Sequence, residues 1–108
     1  MLYQISVPDM DDSIALANIG GRICRMRFRW DSVGEFWEFG VFDPQINPIF
    51  IGVKIVPNFP LNLFSGKEEF SDGKFFALTN EDRLTRYSFV SGLASFIFVE
   101  DESEESSD

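Results

Sequence analysis

The clearest periodicity in the chain alternates every second residue, and it recurs in short runs broken by turn residues. Tyr3 to Val7 alternates apolar and polar positions before Pro8 and an acidic turn. Ile14 to Ile19 runs into Gly20-Gly21, a pair that can supply the positive φ angles of a tight hairpin. Arg22 to Trp30 is the most regular segment. Cys24, Met26, Phe28 and Trp30 fall on one face, and Ile23, Arg25, Arg27 and Arg29 on the other. After a turn at 31–35, Phe36 to Phe42 alternates again, with Trp37, Phe39 and Val41 together.

The second half is less regular. A two-proline loop at 43–48 precedes Ile49 to Val56, an apolar, β-branched run that suits a strand covered on both faces. Gly52 inside it points to a bulge or a close backbone approach. Leu61 to Phe64 fits either one helical turn or an extended edge. Asp72-Gly73, between Phe70 and Lys74 to Leu78, reads as a hairpin turn. Residues 80–86 have the only helix-friendly composition, enough for a turn or two. Leu93 to Val99 closes the pattern as a buried strand. Six or seven strands at this spacing predict an all-β fold: a small antiparallel β-sandwich or a partly open barrel.

Composition narrows the chemistry. With 108 residues, the chain fits a single domain over 1–99, large enough to bury roughly 60–70% of its unfolded surface. Thirteen Phe residues supply the apolar bulk. The formal charge of −9 is unevenly distributed, because residues 100–108 carry six acids and no base. That segment is expected to be a disordered acidic tail. It could solubilise the chain, attract a basic partner, or be phosphorylated at Ser103, Ser106 or Ser107. No histidine is present, which removes the commonest general base, metal ligand and pH switch. One cysteine, Cys24, leaves no disulfide framework and no cysteine zinc site, and its place on the apolar face reads as an inert small hydrophobe. Neither a secretion signal nor an 18-residue apolar span is visible, so folding in a cytoplasm is expected.

Weighed singly, the candidate sites point away from catalysis. Asp9, Asp11 and Asp12 resemble half a calcium loop, without its glycine and closing glutamate. Glu68-Glu69 and Glu81-Asp82 lie beside no plausible nucleophile or acid partner. Two carboxylates can hydrolyse a glycoside without histidine, but a thin β-domain offers little cleft for a sugar. Trp30 and Trp37, with Phe28 and Phe39, are expected to form core, packing across a hairpin rather than making a carbohydrate platform. Arg25, Arg27 and Arg29, with Arg22 ahead of them, place four of nine basic residues within eight positions. They form either a solvated face paired with Glu35 or Glu38, or a row of planar donors that docks an acidic neighbour. Nucleic acid is disfavoured by the net acidity. No catalytic residue, cofactor, metal or small-molecule substrate is expected.

The order of these features resembles the phage baseplate plug family, small tail proteins of contractile-tailed phages and prophages. The resemblance rests on Gly21 with Trp30-Asp31, on Trp37 with Asp43, and on Pro48-Ile49 with Gly52, Ile55 and Val56. Residues 1–56 carry most of it; Phe59 to Leu63 is a loose counterpart of the family's later Leu-rich stretch. The resemblance implies a non-enzymatic structural component of the virion's tail baseplate, made in the host cytoplasm. It would assemble as a symmetric homo-oligomer with hub, tube or wedge proteins. From the residues themselves, Arg25, Arg27 and Arg29 are expected to dock onto an acidic neighbour, with Gly52 or a nearby edge permitting close backbone approach. The competing reading is a small cytoplasmic protein-binding module that uses the arginine strand or the acidic tail.

Overall fold

A computed structural model describes residues 2–64 and 72–100. Seven strands follow one another: β1 (Leu2–Ile5), β2 (Asp12–Ile19), β3 (Arg22–Asp31), β4 (Phe36–Phe42), β5 (Pro48–Lys54), β6 (Gly73–Thr79) and β7 (Ala94–Glu100). They form two antiparallel sheets, one ordered β1-β7-β6 and the other β2-β3-β4-β5. The architecture is thus an open sandwich rather than a closed barrel, and no helix occurs among the described residues.

Alternation in the sequence decides which side of each strand meets the other sheet. On β3, Cys24, Met26 and Phe28 are buried, and on β4 Trp37, Phe39 and Val41 join them. Phe75 and Ala77 of β6 and Phe96 and Phe98 of β7 close the core from the opposite layer. Phe39 sits at the junction of the layers, its ring 6.2 Å from Phe28, 5.5 Å from Phe50, 5.3 Å from Phe75 and 4.9 Å from Phe96. Aromatic pairs at these separations add to plain area burial. The β2–β3 hairpin turns on Gly20 and Gly21, both at positive φ (60° and 84°), as its two-residue length requires.

Several expectations change. The run 49–56 is not covered on both faces: β5 is an edge strand, and Ile51 is 63% exposed. An unbroken apolar run reads the same whether its second face is covered or open, which is why sequence misassigned it. Gly73 is not a turn residue but opens β6 opposite Glu100, where a Cβ would lie 2.5 Å from the Phe98 ring. Glycine is required there by packing, not by turn geometry. The same pairing makes Glu100 the last residue of β7 instead of the first of a tail. Residues 80–86 form no helix; Thr79 Oγ1 accepts from the Glu81 amide and donates to the Leu93 carbonyl, drawing the chain into an irregular loop. Leu61 is extended and exchanges hydrogen bonds with Phe75. The Phe70 arm, Glu68-Glu69 and the acidic segment 101–108 lie outside the described residues.

Candidate functional site

The outward face of the four-stranded sheet carries the charged residues of β3. Because side chains alternate, Arg25, Arg27 and Arg29 stand in one row, about 6.5–7 Å apart. Register sets their neighbours: Leu16 and Phe42 flank Arg25, Ile14 and Gly40 flank Arg27, and Asp12 and Glu38 flank Arg29. Arg27 reaches diagonally to Asp12 in a two-pronged contact, Nε donating to Oδ1 at 2.8 Å and Nη2 to Oδ2 at 2.6 Å. That bond holds the Asp12 carboxyl below the usual carboxylate range. Arg29 lies 3.6 Å from Glu38, and Arg25 Nε donates to the Pro44 carbonyl at 3.2 Å.

Both solvated-face partners considered from sequence can now be placed. Glu38 faces the row, whereas Glu35 bonds Arg83 at 2.8 Å, away from it. The Arg27 and Arg29 side chains remain 46% and 56% exposed, and ion pairs this exposed contribute about 1 kcal/mol or less to stability. Their effect is to orient the guanidinium planes. An oriented planar donor loses less freedom on meeting a carboxylate than a mobile one does.

Beside the row lies a shallow groove of about 210 Å³ lined by Arg27, Arg29, Glu38, Phe42, Ile51 and Gly52. Its floor is Gly40, where a Cβ would stand 3.0 Å from the Phe50 carbonyl and 3.1 Å from Ile51 Cα. The β4–β5 register slips on either side of Val41: one extra residue of β5 falls at Ile51-Gly52, with Gly52 at φ 67°, and a second at Ile49. A bulge of this kind re-aims the strand and opens the depression. The structure therefore brings Arg27, Arg29 and Gly52 to one groove, while Arg25 stands beyond it at Pro44. No atom lies near a Cβ built on Gly52, so the close approach inside the chain occurs at Gly40 instead. A glycine within the FWEFGVF run was the available signal for it.

The aromatic candidates face the other way. Phe28, Trp37 and Phe39 are buried between the sheets, and half-buried Trp30 packs on Trp37 edge-on, 5.6 Å between centroids. Trp37 Nε1 donates to the Thr85 carbonyl at 3.0 Å. The acidic cluster near Asp9 is an ion-pair site: Arg86 bonds Asp9 at 3.0 Å and Asp11 at 2.6 Å while lying over the Trp37 ring at 5.6 Å. Nothing in the sequence flagged Arg86, because its partners lie 75 and 77 residues away. Among the described residues, no group of three or more His, Cys, Asp or Glu side chains could hold a metal ion.

The residues that carried the sequence resemblance turn out to build the scaffold of this face. Asp31 Oδ1 accepts from the amides of Val33 and Gly34, shaping the β3–β4 turn. Asp43 does the same for Gln45 and Asn47 in the β4–β5 loop, and these amide bonds hold its carboxyl below the usual range. Trp37 and Ile55 are core. A search among curated proteins finds no match. The family model described as cyanophage baseplate Pam3 plug gp18 matches residues 2–104, extending through the half where the sequence motifs faded, and the chain belongs to this family of phage baseplate plugs.

Proposed function

We propose that this protein is a structural part of the phage tail baseplate that docks through the outward face of its four-stranded sheet, near the central hub or tube. The chain belongs to a baseplate plug family, so its place is in the virion tail and its role there is structural. The finer reading assigns the contact to Arg25, Arg27 and Arg29, with Gly52 admitting a partner's backbone and the neighbour supplying carboxylates. Hub, tube and wedge proteins and further copies of the chain are the candidate neighbours, met after synthesis in the host cytoplasm. No catalytic step is assigned to it.

The observation that carries this reading is the arginine row itself. Arg25 and Arg27 are held by hydrogen bonds and Arg29 lies against Glu38, and Arg27 and Arg29 border a groove lined by Gly40, Gly52 and the exposed Ile51. Oriented charge at an interface sets register and suppresses wrong partners. Replacing Arg25, Arg27 and Arg29 together by Glu tests it. The isolated variant is expected to keep the circular dichroism of the parent, since the three side chains contribute little to stability, and to be missing from purified particles. Normal incorporation of a folded triple variant would refute the assignment.

A further inference from the structure

Each sheet of an open sandwich has two edges, and the four edges of this molecule are treated differently. The β6 edge is occupied: Asn58 and Leu61 run beside it, Leu61 exchanging hydrogen bonds with Phe75 and the Asn58 side chain bonding both the amide and the carbonyl of Thr79. The β5 edge begins at Pro48, is bulged, and turns through Gly52 at positive φ. The β1 edge is four residues long. Short edges, bulges, prolines and coverings are the devices that stop a sheet from pairing with another chain. Among the described residues, β2 has none of them. It is eight residues long, its register with β3 is unbroken from Asp12 to Ile19, and its one charged side chain, Asp12, is bound by Arg27.

The hydrogen-bonding direction of β2 follows from its turn. A two-residue turn at Gly20-Gly21 makes Ile19 and Arg22 a hydrogen-bonded pair, so Ala17, Ala15 and Ser13 also bond β3. The Trp30 amide donating to the Asp11 carbonyl at 2.7 Å continues the alternation. The main-chain groups of Asp12, Ile14, Leu16 and Asn18 therefore point away from β3, where no described strand lies. Ile14 and Leu16 are 47% and 61% exposed beside them.

We infer that β2 pairs antiparallel with β2 of a second copy, centred on Ala15, joining two four-stranded sheets into one of eight. This deepens the self-assembly part of the proposed function and rests on it. In this register Ile14 faces Leu16 of the other copy, twice over, and Asp12 faces Asn18, twice over. All four outward-pointing residues then exchange hydrogen bonds, the apolar pairs meet in the middle, and each carboxylate meets an amide rather than another carboxylate. The arginine rows stay three strand spacings apart, ~14 Å, beyond the ~8–10 Å over which salt leaves charges coupled. A second copy is favoured over ring closure because the other three edges are blunted, so among the described residues the one matching open edge is β2 itself. Such an isologous contact stops at two copies.

Size-exclusion chromatography with light scattering on the purified full chain tests this. The parent is expected at twice 12.4 kDa, and the double variant Ile14→Lys/Leu16→Lys at half the parent's mass with the parent's circular dichroism. Ala15→Cys supplies a second measurement that does not depend on the lysine variant folding. Across the two-fold axis the residues at 15 form a non-hydrogen-bonded pair with Cα atoms about 4.5 Å apart, within disulfide range. Mild oxidation should link most of that variant as dimer, whereas Ala17→Cys, whose copies stand ~13 Å apart, should stay unlinked. A monomer at all concentrations, a larger ring, a dimer indifferent to the lysines, or equal linking at 15 and 17 would each overturn the inference. None of these outcomes touches the arginine assignment, which is read from incorporation into particles.

Discussion

The two sheets are assembled in opposite ways. The four-stranded sheet comes from one uninterrupted stretch, Asp12 to Lys54, each strand pairing with the next through a short turn. The three-stranded sheet sets β1 beside β7, more than 90 residues later, and takes β6 from beyond a long connection. Local pairing closes small loops and distant pairing closes large ones, which is slower and has to be stabilised by contacts made late. The candidate docking face belongs to the first kind. It is carried by the sheet whose register is fixed locally, and the other sheet serves as the layer that seals its core.

Deleting the side chain that joins the two sheets should have the largest effect. Phe39→Ala removes a ring packed against Phe28 and Phe50 of its own sheet and against Phe75 and Phe96 of the other. A loss of about 3–5 kcal/mol is expected, read from the shift of a urea unfolding midpoint. Domains of this size have only about 5–15 kcal/mol in total, so the variant should be close to unfolding.

The next prediction separates the two modes of assembly. Asn58 holds the connection to β6 through hydrogen bonds of 2.7 and 3.1 Å to the Thr79 backbone. Asn58→Ala should destabilise by about 2 kcal/mol, since it leaves backbone groups unpaired. Nearly all of that change should appear as faster unfolding. Gly21→Val strains the β2–β3 turn at φ 84° by about 1–2 kcal/mol, and its effect should appear as slower folding. Stopped-flow kinetics showing the two variants acting on the same limb would erase the contrast between the sheets.

Acid should act most gently, and on the locally built sheet. Asp12, through Arg27, and Asp43, through the amides of Asn47 and Gln45, have carboxyl groups held below their ordinary value near 3.8. A depressed carboxyl adds stability that is present above the ordinary value and is lost as pH falls through the depressed one. Asp43→Asn is expected to flatten the fall in melting temperature below about pH 4. An unchanged acid slope would show that the loop bonds are not coupled to folding. Cys24, pushed up to about 11 by burial, should resist alkylation at pH 8 until the protein unfolds.

The same contrast explains what could be read from sequence. Residues 14–42 were legible because period-two alternation and the Gly20-Gly21 turn are local signals, and they placed Arg25, Arg27 and Arg29 opposite Cys24, Met26 and Phe28 correctly. Strands were also expected at 49–56 and 74–78, where β5 and β6 lie, but the packing around them was not legible, because it answers to distant partners. Gly73 makes room for Phe98, Asn58 imitates a strand for Thr79, and Arg86 clamps Asp9 and Asp11. The exposed side of β5 was hidden because a bulge at Ile51-Gly52 turns apolar residues outward without changing composition. The groove beside the arginines depends on that bulge, which Gly52 had signalled; what sequence reasoning missed was the open face of β5 that the bulge exposes.

The proposed baseplate contact is made by the outward face of the four-stranded sheet. A photo-crosslinking amino acid placed at Ile51, 63% exposed on the groove rim, or at Leu78, 53% exposed on the outward face of the other sheet, tests it inside assembled particles. Irradiation is expected to join position 51 to another baseplate protein and to leave position 78 unjoined. Crosslinks from position 78 with none from position 51 would contradict it.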